Sequence, residues 1–569
     1  MPMHVVTAIT LAMTVCQHSQ GSTMEDVVRR FTIDRQSLQN YYEVPLSATV
    51  RTRLEAFRSE QSKNLDLVEF DKLDHDGKID WVLLRRFLEA ETRQSVAQSA
   101  KDAETLTVLP FATQIIVLEE SRWTLDPVNP EEAAGVLDSI RKSAKEAQQR
   151  IEKSREEKKA SVSPVVAMRA AKSLSGLRGT LKNWFEHYNG YKPLFTWWCQ
   201  KPYDECSRAL EAFEKFLRET VADQKGEDDD PLSGDPIGRE ALLSDLKREM
   251  IDYSPEELIK IAQAEYDWCF QELLKSTKEM GFGSDWKKAM DKVKSDHVGP
   301  GEQDDLVMFQ GREAVKYVED NDLVTLEPLC KETWRVEMLT ASQQKNWPFA
   351  FYGGQHMATS YPLPEMDHMT KQMSMRGNNK HFLRAVTHHE LIPGHHLQIY
   401  MADRYRSYRQ VFSTPFFVEG WALHWEMLLW DLGFGQTPED KIGMLFWRMH
   451  RCARIVVSLG FHLGKMTPEE MIDHLVEKVG HERFTATSEV RRYVGDMYSP
   501  LYQCAYLVGG LQLRGLYKEL VPSTMTPKQF HDKVLRLGPI PMEMVRVSLK
   551  GVAIQKEFSG GRHVQQSFD

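Results

Sequence analysis

Apolar residues recur at three- and four-residue spacing among charges along most of the 569-residue chain, the period of a helix with one buried face. From Met24 to about Thr107 the pattern is plain, with Val28 and Phe31 early and Leu83, Leu84, Phe87 and Leu88 later, and it predicts packed helices. Ala133 to Ala160 is rich in Glu, Lys, Arg and Ala with few large apolar residues, which predicts a long solvated helix interrupted by Pro164. A second long helical stretch is expected from Val165 to about Val221, with Trp184, Trp197 and Trp198 as packing residues. Ser254-Pro255-Glu256-Glu257 combines an N-cap serine, proline at the first helical position and acids in the first turn, so a helix should run through Leu258 to Lys278.

Breaks in this pattern fall at Gln224 to Pro236, around Asp228-Asp229-Asp230-Pro231, and at Asp296 to Asp305. Between Leu323 and Tyr361 the texture shifts to Pro, Gly and β-branched residues, with Phe349-Ala350-Phe351-Tyr352 ahead of Gly353-Gly354. A small sheet is expected there, in an otherwise mainly α protein. A strand of that sheet lying along a cleft could pair with an extended peptide. The expected organisation is an N-terminal helical region, 24–290, continuous with a region 291–569.

Composition narrows the class. With 41% hydrophobic residues the chain is a large globular body, and a net charge of -10 gives no general attraction to nucleic acid. Seven cysteines, widely spaced and without a Cys-x-x-Cys pair, argue against a disulfide framework and for buried free thiols. Val5 to Val15 is a short apolar run followed by small polar residues, like the middle and end of a secretory signal, although no Lys or Arg precedes Arg29. Residues 1–23 are therefore expected as a signal peptide of a secreted or periplasmic protein, with a cytoplasmic location as the alternative. No later stretch approaches the roughly 18 apolar residues of a membrane span. Asp74-His75-Asp76-Gly77-Lys78-Ile79-Asp80 imitates a calcium loop, but the register set by Gly77 puts Lys72 and Leu83 at ligand positions, so a turn between helices is expected instead.

The densest chemistry lies in His388-His389-Glu390-Leu391-Ile392-Pro393-Gly394-His395-His396, four imidazoles and a carboxylate in nine residues. Two histidines four apart on a helix would share a face and a metal, but the residue four after His389 is Pro393. His389 and His395 are six apart, which in an unbroken helix leaves them roughly 120° out of alignment and about 9 Å apart along the axis. Pro393 clashes with the carbonyl of residue 389 and Gly394 frees the backbone, so a broken turn is predicted to bring the two imidazoles together. The alternative is a histidine-rich helix end at the surface. Downstream, Glu419 and Glu426 stand seven apart on one face of an aromatic helix, and one of them is the expected third ligand. Pairing with Arg448, Arg451 or Arg454 is the alternative, stronger for Glu426 than for Glu419.

The strings His-Glu-Leu-Ile-Pro-Gly-His-His-Leu-Gln and Glu-Gly-Trp-Ala-Leu resemble the domain of unknown function 885 family, which resembles zincin-type metallopeptidases with a glutamate ligand. The helical N-terminal part and Arg492-Tyr493, Pro500, Gln503, Tyr506 and Gly509 also fit, so the resemblance extends from about Met24 onwards. It implies a large helical zincin-like metallopeptidase with a small β element beside the active-site cleft. His389, His395 and Glu419 would hold one Zn2+, and Glu390 would be the catalytic carboxylate. The sequence departs from the family where an Asp-Thr-Gly-hydrophobic-His string is replaced by Ser458-Leu459-Gly460-Phe461-His462. A carboxylate orienting a ligand histidine would then have to come from elsewhere, Asp473 or Glu426 being the candidates.

The expected chemistry is hydrolysis of a peptide by metal-activated water, with Glu390 as general base and Tyr506, His462 and Arg492, in that order, as candidate donors to the oxyanion. Tyr506 as a core aromatic, His462 as a satisfied core histidine and Arg492 as a surface charge partner are the alternatives. At the level of the whole protein the rivals are a zinc amidohydrolase acting on a non-peptide amide and a non-catalytic peptide-binding protein with structural zinc. A serine or thiol hydrolase finds no Gly-x-Ser-x-Gly elbow and no Cys beside a suitable His. No oligomeric state follows from the sequence.

Overall fold

The computed structural model describes residues 23–159, 162–224, 232–344, 347–495 and 497–566. The expected signal peptide falls outside them except for Thr23, as does the acidic run at 228–231. The protein is mainly α, with one three-stranded sheet.

Three helices fill most of residues 24–108, as the spacing predicts; the third, α1 (His75–Val108), begins at the string that imitates a calcium loop. Its acids have other work. Asp74 caps the helix by accepting from the Gly77 amide at 2.7 Å. Asp76 pairs with Arg406, and buried Asp80 accepts from Arg409 at 2.7 Å and from the Tyr408 hydroxyl at 2.8 Å, which ties α1 to a distant segment. The turn lies just ahead, at Phe70–Lys72.

A bundle follows: α2 (Pro130–Glu156), α3 (Pro164–Tyr188) and α4 (Pro193–Phe216). Two expectations need correction here. The stretch from Val165 to Val221 is two helices, broken where Gly190 takes a φ of 77° and Pro193 restarts the chain at a first helical position. α2 is also not merely solvated. Its Ala133, Leu137, Ile140, Ala144, Ala147 and Ile151 form a buried stripe, because alanines let the neighbouring helix approach closely. Trp184 is core as expected, whereas Trp197 is 83% exposed.

The helix α5 (Pro255–Glu279) starts with the predicted capping box between Ser254 and Glu257. The small sheet also forms where expected: β1 (Arg335–Met338), β2 (Ala350–Tyr352) and β3 (His356–Thr359). β3 is central, pairing parallel with β1 and antiparallel with β2, so β2 is an edge strand.

The rest is built on α6 (Lys380–Glu390), α7 (His395–Ala402), α8 (Pro415–Asp431), α9 (Pro438–His462), α10 (Arg483–Val494) and α11 (Tyr502–Leu520). α8 and α11 pack backbone to backbone. A Cβ on Gly509 would lie 2.1 Å from the Phe416 carbonyl oxygen, and one on Gly420 would lie 2.6 Å from the Gly509 carbonyl carbon. Only glycine fits at that crossing, and it fixes Glu419 next to Tyr502 and Tyr506. One apolar core takes in Val28, Phe31 and Leu84 from the N-terminal helices together with Trp421, Trp425 and Phe530, so the two ends of the chain share an interior. The six described cysteines are buried free thiols. Among the described residues no helix is long and apolar enough to cross a membrane.

Candidate functional site

α6 stops at Glu390 and α7 starts at His395; between them the chain turns through Leu391 to Gly394, with the Ile392–Pro393 peptide in cis. The predicted distortion is present. Gly394 is required there, since a Cβ would sit 1.8 Å from the His389 carbonyl oxygen. Trp421 of the Glu-Gly-Trp string donates its indole N–H to the Pro393 carbonyl at 2.9 Å, so the second motif helix holds the bend of the first.

The bend brings the imidazoles of His389 and His395 to a centroid separation of 4.8 Å, nearly perpendicular at 89°. Glu419 of α8 completes the group. Its Oε2 lies 3.4 Å from His389 Nε2 and 3.2 Å from His395 Nε2, and all three residues are more than nine-tenths buried. The three ligand atoms lie within 4.8 Å of one another, a set that could hold a metal ion. A tetrahedral zinc with bonds of about 2.0–2.1 Å would put its ligand atoms about 3.3–3.4 Å apart, close to the two distances to Glu419. Glu419 Oε2 has no hydrogen-bond partner among the described residues, which leaves it available to an ion.

Glu426, two turns beyond Glu419, takes the other side of His389, with Oε1 2.6 Å from Nδ1. It thereby occupies the position left open by the sequence departure at Ser458, while Asp473 pairs with Arg483 at the surface. The arginine alternative is realised at the same time, because Arg451 Nη2 donates to the same oxygen at 3.1 Å. Burial opposes charge on Glu426, but Arg451 and the bond from His389 outweigh it and hold its pKa down at about 2. Burial likewise opposes a proton on His389, yet the Glu419 carboxylate beside Nε2 and the Glu426 carboxylate bonded at Nδ1 push its pKa up to about 9. Two carboxylates around one imidazole make a strongly cation-attracting pocket. The remaining histidines of the motif are not part of it: His388 packs its ring against Phe434, and His396 is bonded to Tyr352 and to the Cys330 carbonyl.

His389, His395 and Glu419 line a cavity of about 260 Å³, together with Glu390, Tyr506, Arg492 and the edge strand β2. Glu390 is part-buried at the end of α6, directly after the first ligand. Tyr506 stacks on His389 at 6.0 Å and 15°, and burial raises its pKa, which keeps its hydroxyl a proton donor. Arg492 is in the cavity wall rather than at the surface. His462 is not part of the site. It sits near Asp235, away from the cavity lining, and burial lowers its pKa to about 4, so it is a core histidine.

Sequence reasoning missed several wall residues. Tyr502 donates its hydroxyl to Glu419 Oε1, and Tyr498, Arg454 and Glu489 also line the cavity. The signal was present in the four-residue spacing of Tyr498, Tyr502 and Tyr506, which places three phenols on one side of the chain entering α11.

The family described as "Bacterial protein of unknown function (DUF885)" matches residues 39–549. No curated protein matches. Two solved structures share the fold. "A putative lipoprotein of unknown function" from Shewanella oneidensis superposes with a TM-score of 0.69 at 18% identity, over 93% of this chain and 100% of that one. A protein described as a "putative lipoprotein", from Colwellia psychrerythraea, gives 0.58 at 17%, over 93% and 99%.

Proposed function

The chain belongs to the DUF885 family of bacterial proteins of unknown function, and from that footing we propose that it is a metal-dependent hydrolase of peptide bonds. One observation carries the proposal: a turn that only Gly394 can make converges two imidazoles on a buried carboxylate whose facing oxygen has no other partner. His389, His395 and Glu419 would hold a divalent ion, zinc fitting the donor set best. Such an ion, when bound, supplies an activated water and polarises a carbonyl.

The chain's own residues do the rest. Glu426 holds the proton on His389 Nδ1 and so presents Nε2 as the ligand nitrogen. The Tyr502 hydroxyl orients Glu419 through Oε1, leaving Oε2 to the cluster. Glu390 is the acceptor for a proton from water and later its donor to the leaving nitrogen. Tyr506, stacked on His389, is the neutral donor for the oxyanion. The edge strand β2 along the cavity offers main-chain hydrogen bonds to an extended substrate, which favours a peptide over a small amide. An extracytoplasmic location is part of the same proposal; the apolar run at Val5 to Val15 supports it.

The test is metal analysis of purified protein beside a peptide-panel digest read by mass, for wild type and Glu390→Gln. Wild type should hold about one equivalent of metal and cleave peptides in a chelator-sensitive way. Glu390→Gln should keep the metal and lose roughly two to four orders of magnitude in turnover. Metal without cleavage in wild type would leave a non-catalytic peptide-binding protein, and unchanged turnover in the variant would reject Glu390 as the base.

A further inference from the structure

Three arginines approach the cavity, and their partners do not balance them. Arg451 is committed to Glu426. Arg454 and Arg492 share one carboxylate, Glu489, at 3.7 Å and 2.7 Å. Glu489 is further engaged by the Tyr493 hydroxyl and lies 3.4 Å from His450 Nε2. His450 and the His481 bonded to it lose affinity for protons through burial, so neither adds or removes charge near neutral pH. Among the described residues, two guanidiniums thus share one ion-pair carboxylate in an interior where an uncompensated charge is costly.

Arg454 is the clearer of the two. It is fully buried, it lines the cavity, and none of its three guanidinium nitrogens has a hydrogen-bond partner among the described residues. Its guanidinium carbon lies 4.1 Å from the centroid of Tyr506, the ring that stacks on His389. The guanidinium is therefore within about 10 Å of the ligand imidazole, two ring contacts away. Five donors in a planar fork match a carboxylate bidentately.

Resting on the hydrolase reading above, we infer that Arg454 and Arg492 bind the free C-terminal carboxylate of a peptide, making the protein a carboxypeptidase. A chain spans at most about 3.6 Å per residue, so the distance from the ligand cluster to the arginines accommodates one or two residues beyond the scissile bond. In the step itself the C–N bond breaks, the oxygen of water joins the carbonyl carbon, one proton passes through Glu390 to the leaving nitrogen, and the released fragment carries the carboxylate away. Tyr498, whose ring lies 5.6 Å from the Arg492 guanidinium, lines the same cavity beside the carboxylate position.

The experiment uses one neutral octapeptide in three forms: free acid, C-terminal amide, and amide ending in glutamate. Binding to metal-free protein is measured by calorimetry, and cleavage by metal-loaded protein is followed by mass. The free acid should bind about 10–100-fold more tightly than the plain amide, the range of a lost hydrogen-bonded charge, and should be shortened only from its C-terminus. Arg492→Gln should lower that acid-to-amide ratio towards one while the unfolding midpoint stays measurable; Arg492 is chosen because fully buried Arg454 risks the fold when replaced. Equal binding of acid and amide overturns the inference, as does internal cleavage of the amide, and both leave the peptidase reading standing. Preference for the glutamate-ended amide over the free acid assigns the anion to a side chain and also overturns it. A preserved acid-to-amide binding ratio without any cleavage would instead support the carboxylate pocket and sink the hydrolase reading.

Discussion

The α2–α4 bundle and the helices α8–α11 bury their faces by opposite means. In the bundle and the preceding helix Ala112–Trp123, whose apolar face joins the same core, Glu119 of that helix is the single buried charged residue among those described, and it is neutralised by Arg122. The interior is Ala, Leu and Ile with Trp184, Phe195 and Phe213. Across α8–α11 the buried set includes Glu419, Glu426, Arg448, Arg451, Arg454 and Glu489. A protein has no need of buried charge to fold, and each such group costs desolvation that pairing only partly returns. The charges are concentrated around the cavity lined by His389, His395 and Glu419, so on the proposed function the second region gives up stability for chemistry while the first holds the structure together.

The comparison breaks most readily from the bundle side. Phe213→Ala should cost about 3–5 kcal/mol of stability, since the ring is fully buried among apolar neighbours. Metal affinity per folded molecule should not change. Denaturant unfolding together with metal titration of the folded fraction checks both halves; a parallel loss of metal affinity would mean that the bundle also positions the site.

A smaller but more selective effect is expected from Glu426→Gln. Removing the carboxylate frees the proton on His389 Nδ1 to move to Nε2 and leaves Arg451 without its partner. Metal affinity, read by competition with a chelator, should fall by about 10–100-fold. Unchanged affinity would mean that Glu426 serves Arg451 alone, and that these buried charges belong to packing rather than to the metal site.

The bundle and the site also differ in how far the sequence discloses them. The helix start at Ser254 was legible because its cap and the capping acid Glu257 are close in sequence, whereas the cap at Asp74 was hidden in a string that imitates a calcium loop. The solvated reading of α2 failed because an alanine stripe looks neutral in composition and becomes a core only against a neighbouring helix. The bend at Pro393-Gly394 was legible because the ordinary histidine spacing could not work. Glu419 and Glu426 stood out together from their aromatic setting, and the family resemblance singled out Glu419. The partners of the site were less so: His462 ranked second only to Tyr506 as a donor yet lies outside the cavity lining, and the pairing of Arg454 with Glu489 joins α9 to α10, a contact that no spacing within one helix can disclose.

The last consequence concerns a buried acid outside the cavity, Glu543, in the first turn of the C-terminal helix Met542–Lys550. Its Oε2 has no partner and its Oε1 is 3.6 Å from His563 Nε2. Burial pushes its pKa up to about 7, and Arg546 offsets this only in part. In the unfolded chain the same carboxyl titrates near 4.3. Between those values the native state holds a proton that the unfolded state has released, so stability is greatest below the lower pKa and declines as pH rises through the higher one. Glu543→Gln should remove that decline, giving a variant more stable than wild type at pH 8 by on the order of 1–2 kcal/mol, with the gap narrowing at pH 5. Urea midpoints at the two pH values measure it. A gap of equal size at both would show that Glu543 titrates as it does in the unfolded chain, and buried charge outside the cavity would then carry no penalty of the kind that marks the site.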